Sequence, residues 1–172
     1  MNLNLHLDQK RLRDYVERRV RDYPKHKNIG PGDPSNPIRR VTFGFYAEQG
    51  GYVNLIFDTR PDAAVDGQWT RYIEEERNTL AFPDWTLAYN KIFDGHGVSV
   101  TRHDGTSCEL RDSDGDEGVN RVFGEMIVDL MVQLREDGTL RKLPLASGAR
   151  MDLEEFDGRY SWPRQEKGFI SP

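Results

Sequence analysis

A single cysteine, Cys108, stands in a chain of 172 residues. That excludes an intramolecular disulfide and fits a reducing compartment. Long apolar runs are also missing. No stretch approaches the roughly 18 apolar residues of a membrane-spanning helix, and the opening MNLNLHLDQKRLRDY lacks the apolar segment of a signal peptide. A cytoplasmic protein that makes no membrane contact is the expectation. Familiar catalytic signatures are absent too. There is no G-x-S-x-G elbow to present a serine nucleophile. GPG (30–32) and QGG (49–51) lack the strand, helix and lysine of a phosphate-binding loop.

What is present is charge. Asp, Glu, Lys and Arg make up 31% of the chain, against roughly 25% in an ordinary globular domain. Hydrophobic residues are only 36%, so a modest core under a charged surface is expected, yet eighteen aromatic residues argue against disorder. The length suits one domain, with residues 164–172 as a frayed tail. The net charge of −5 conceals an asymmetry. Residues 1–42 carry ten Lys/Arg against five Asp/Glu, and residues 43–172 carry fourteen against twenty-four.

Periodicity orders the elements. Leu12, Tyr15, Val16, Val20 and Tyr23 recur every three or four residues, the spacing of one helix face. Asp8 is the expected N-cap of this helix, with Leu7 and Leu12 as a hydrophobic staple. Val41, Phe43, Phe45 and Ala47 alternate with polar residues or glycine, then Val53, Leu55 and Phe57 do the same after Gln49-Gly50-Gly51. This is a hairpin with one buried face. Thr70 can cap a short helix through YIEEERN. The segment 82–93 reads as a helix capped by Asp84 or as an aromatic strand. A second hairpin is expected at 97–111, turning at Asp104-Gly105. The longest helix follows, with Val119, Val122, Phe123, Met126, Ile127, Leu130, Met131 and Leu134 on one face and Gly138 just past its end. LRKLPLASGAR (140–150) reads as a strand or extended arm, and Asp152 as the cap of a one-turn helix before Trp162-Pro163. The class is therefore α+β: an antiparallel sheet built from hairpins, covered by an N-terminal helix and a long helix in the C-terminal half.

Site chemistry is thin. Asp112, Asp114, Asp116 and Glu117 alternate as calcium ligands do, but Glu117 stands where the EF-hand turn requires glycine and Phe123 where it requires glutamate. A solvated acidic loop leading into the long helix is the better reading. His96, His103 and Cys108 are zinc-competent types at spacings that match no zinc finger. Cys108 as a nucleophile would need an activating base, and His103 is the nearest histidine in sequence. Asp and Glu are abundant enough to supply a carboxylate pair for glycoside hydrolysis, a chemistry set by their separation in space. Arg11, Arg18, Arg19, Arg21, Arg39 and Arg40 could meet phosphates, but the acidic remainder would repel a long duplex. No metal and no cofactor is expected.

The phrases FYAEQGGYVNLIFDTRPD (45–62), DGQWT (66–70) and EEFDGRYSWP (154–163) carry a resemblance, as does the order of elements. Over residues 10–163 the chain resembles small bacterial α+β proteins of the polymorphic-toxin immunity type. The shared features are an N-terminal helix, an aromatic hairpin ending in a Phe-Asp-Thr segment, a tryptophan soon after, and a late amphipathic helix followed by a leucine arm. The resemblance implies an inhibitor that binds a toxin's enzymatic domain and has no catalysis of its own. A non-enzymatic protein-binding module with a basic partner is the leading expectation. The alternatives are a cytoplasmic regulatory or structural protein, and a hydrolase using carboxylates or Cys108. The partner-facing candidates are Asp58, Asp62, Asp66, Trp69, Glu74, Glu75, Glu76, Asp112, Asp114, Asp116 and Glu117, because acidic surfaces steer basic partners and tryptophan anchors interfaces.

Overall fold

The computed structural model describes residues 1–23, 30, 32–47, 51–61, 79–155 and 161–162. Three helices and two sheets occupy these residues. In chain order they are β1 (Asn2–Asn4), α1 (Leu5–Asp22), β2 (Ile38–Tyr46), β3 (Tyr52–Asp58), β4 (Thr79–Ala81), α2 (Pro83–Phe93), β5 (Val98–Thr101), β6 (Ser107–Leu110), α3 (Gly115–Glu136), β7 (Leu145–Glu155) and β8 (Ser161–Trp162). The expected short helix at 70–78 and the tail at 164–172 lie outside the described residues.

The α+β class is as expected, and both expected hairpins form, with Phe43 opposite Leu55 and Val100 opposite Cys108. The hairpins belong to different sheets. One sheet runs β4-β3-β2-β7-β8, the other β1-β5-β6, and each contains one parallel pair, β2 with β7 and β1 with β5. The carboxyl-terminal arm is therefore a strand next to the middle of the larger sheet. Asp152 lies within that strand and caps no helix. Ala149, Met151 and Leu153 point toward the core while Arg150, Asp152 and Glu154 occupy the other face, the alternation a strand requires. The β2·β7 register shifts between Ile38–Leu145 and Arg40–Arg150, and Gly148 takes φ +72° in the intervening stretch. Extra residues on one strand leave the ladder there as a bulge.

Helix α1 begins earlier than its apolar spacing implied. Asn4 is the N-cap, its side chain accepting from Leu7 N at 3.2 Å. Leu7 is 55% exposed, so it staples nothing. Asp8 sits in the first turn and accepts from Trp85 Nε1 at 2.9 Å, joining α1 to α2. Burial pushes the Asp8 carboxyl above its ordinary range, and this outweighs the Trp85 hydrogen bond and Arg11. A carboxylate raised in the folded state favours folding most fully below its unfolded pKa of 3.8, and that contribution disappears as pH rises through the folded value. Asp8→Asn keeps an acceptor for Trp85, so it is expected to flatten the fall in stability above pH 4 and to raise the neutral-pH melting temperature. Urea titrations from pH 3 to 8 would show it. A larger pH slope in the variant would contradict this account.

Segment 82–93 is a helix, with Pro83 in its first turn and Trp85, Ala88 and Ile92 buried. Phe82 is the N-cap and makes no side-chain cap bond, so Asp84 is a first-turn residue and not the cap. Helix α3 buries its whole expected stripe. Phe123 is its centre, with ring centroids 5.8 Å from Phe45, 5.6 Å from Phe82 and 4.5 Å from Trp85. Gly138 takes φ +76° beyond the helix end. Gln9 Nε2 donates to Met126 O at 3.2 Å, and Arg13 reaches Asp137 at 2.7 Å, so α1 lies along α3. Hydrogen bonds from Thr139 and Arg13 hold the Asp137 carboxyl down to about 2.

Candidate binding surface

Six of the residues proposed from sequence to face a partner, Asp62, Asp66, Trp69, Glu74, Glu75 and Glu76, lie outside the described residues. Asp58 is 4% exposed at the end of β3. Its Oδ1 accepts from Arg60 N at 2.9 Å and its Oδ2 from Arg60 Nη2 at 2.8 Å. It fastens the strand end and is withdrawn from any partner. Asp112 and Glu117 are exposed beside the start of α3, and Asp116 lies in the first turn of that helix. Asp114 is half-buried, and its carboxylate accepts from Arg111 N at 2.8 Å instead of capping α3. Among the described residues no group of three or more His, Cys, Asp or Glu is placed to hold a metal ion. Cys108 is half-buried in β6, while His103 is turned toward His6.

The basic face of α1 is less available than its composition suggested. Arg11 lies over the Phe82 ring and donates to Ala81 O, Arg19 is buried, and Arg21 pairs with Asp22. Arg40 is enclosed as well. It forms ion pairs with Asp152 and Glu154 across β2 and β7. These three share the face of the larger sheet that turns away from the helices, together with Thr42, Gly44, Asn54, Ile56 and Asp58. That face was expected to be solvated, yet Thr42, Asn54, Ile56 and Asp58 are each at most 5% exposed. The Asn54 side chain is buried with neither amide atom hydrogen-bonded. Burial raises the Glu154 carboxyl despite Arg40 beside it. Both carboxylates are engaged by one guanidinium, so this cluster ties the two strands together.

Exposed apolar side chains gather on α2. Phe93 is 69% and Leu87 54% exposed, and the half-buried Tyr89 ring lies 6.0 Å from Phe93. At about 100° per residue, Tyr89 and Phe93 follow one another at the edge of the buried face that holds Trp85, Ala88 and Ile92, and Leu87 lies on the far side of the helix. Exposed Asp84 and Asp94 stand at the two ends of the helix, with Lys91 between them. Sequence reading missed this surface because it left the segment between helix and strand. Only the helical period separates its inward residues from its outward ones.

No family model, no curated protein and no solved structure matches this chain. Among the described residues no helix is long and apolar enough to cross a membrane.

Proposed function

We propose that the chain is a cytoplasmic protein-binding module, in the manner of the polymorphic-toxin immunity proteins it resembles. It would hold a basic protein partner against the outward face of α2. The carrying observation is the exposure of Phe93 beside Tyr89, and of Leu87 farther round the same helix, whose buried side is locked into the core. A large aromatic side chain held in water on a rigid element is what an interface anchor requires. The acidic balance of residues 43–172 adds long-range attraction for a basic surface. Exposed Asp112 and Glu117 extend that field.

The test begins with capture of a partner on immobilised chain, followed by association kinetics with the purified partner at low and high salt. The double variant Leu87→Ala/Phe93→Ala is expected to fold normally and to bind at least about thirtyfold more weakly, the equivalent of one hot spot of about 2 kcal/mol. The on-rate should fall with salt as the screening length shortens. Undiminished binding by the variant would remove α2 from the interface. A purified chain that turns over a substrate would overturn the non-enzymatic reading.

A further inference from the structure

We propose that His6 and His103 together chelate a divalent transition-metal ion of the zinc class. The two side chains are 97 positions apart in sequence, yet their Nδ1 atoms lie 3.4 Å apart with both residues exposed. The ring planes meet at 81°. Two imidazole nitrogens bound to one tetrahedral ion at about 2.0–2.1 Å are separated by about 3.4 Å. The structure therefore already holds the two donors at chelating distance.

Each histidine sits on a framework that fixes it. His6 is the second residue of α1, two positions after the Asn4 cap. Preceding it, β1 pairs parallel with β5, Asn4 lying opposite Thr101. His103 lies in the β5–β6 turn, which is closed by Arg102 N to Thr106 O at 2.8 Å and Gly105 N to Arg102 O at 3.1 Å. In that turn the Asp104 carboxylate accepts from Thr106 N and Thr106 Oγ1 at 2.9 and 2.6 Å. Asp104 is thus occupied within the turn, and the remaining coordination positions would be filled by water. Without metal the two Nδ1 atoms face each other at hydrogen-bonding distance. With zinc bound at both Nδ1 atoms, each ring carries its proton at Nε2, and any proton displaced from Nδ1 passes to solvent. The ion would join the first turn of α1 to the hairpin of the smaller sheet, a link independent of the α2 surface.

Calorimetric titration of the full chain with zinc chloride should show one ion per chain. Co(II) in its place should develop the visible bands of a four-coordinate complex. His6→Ala and His103→Ala should each weaken zinc binding at least about tenfold, because a chelate loses half its protein donors. His96→Ala should leave it unchanged. Zinc should also raise the melting temperature of the wild type and of neither pair variant, as ligand binding to the folded state requires. Both altered residues are exposed, so the metal-free melting temperatures should agree. Absence of heat at millimolar zinc would overturn the proposal, as would zinc binding that survives in both variants.

Discussion

Replacing Phe123 with alanine is expected to cost about 3–5 kcal/mol, the range for emptying a buried aromatic site. Phe123 is fully buried and touches one ring from β2, one from the α2 cap and one from α2 itself. Its neighbours hang from β2 and from the start of α2 and cannot all close the cavity without giving up their own contacts. Ile127→Ala and Leu130→Ala, also fully buried on α3, should cost about 2–5 kcal/mol each. Against a total stability of about 5–15 kcal/mol, the Phe123 change leaves little margin. Urea unfolding would measure it, with Phe93→Ala as the comparison. Phe93 is 69% exposed, and its loss should alter stability by no more than about 0.5 kcal/mol. Equal midpoints for the two variants would mean that α3 does not organise the core.

Arg40→Ala should be as damaging for a different reason. The Arg40 side chain is 10% exposed, and its partners Asp152 and Glu154 are 15% and 16% exposed. Removing the guanidinium leaves two carboxylates on one strand face without their countercharge. Breaking a buried ion pair from one side costs about 3–5 kcal/mol. The cost should depend on pH. Burial already raises the Glu154 carboxyl and Arg40 is what opposes that rise, so without Arg40 the variant is least impaired at acid pH and loses stability as pH rises through the carboxylate range. Substituting apolar residues at all three positions should recover most of the loss, since no charge is then left unpaired. A variant as stable as the wild type at pH 7 would show that the cluster contributes nothing there.

Local pattern was enough for α1, α3 and the two hairpins. A stripe repeating every three to four residues, or alternation closed by glycine, needs only neighbours in sequence to be read. It also identified the buried stripe of α3 and one face of the first hairpin, because the same periodicity that makes a face makes the core. The parallel pairing of β7 with β2 was decided by tertiary structure. Its partners, such as Phe43 and Leu153, are more than a hundred residues apart. Moreover, Asp152, Glu154 and Glu155 within the strand disguise its alternation as a helix start. Burial of the sheet's second face followed the same logic. Thr42, Gly44 and Asn54 read as solvent-facing, and only assembled strands show Asn54 enclosed and Arg40 clamped between two carboxylates. Charge counts gave the acidic balance but not its use: Asp58 and the arginines of α1 are consumed by contacts that composition cannot register. The meeting of His6 with His103 belongs to the same class. A helix start and a hairpin turn were both legible, but their proximity came from β1 pairing with β5, a three-residue ladder too short to leave a signal in the sequence.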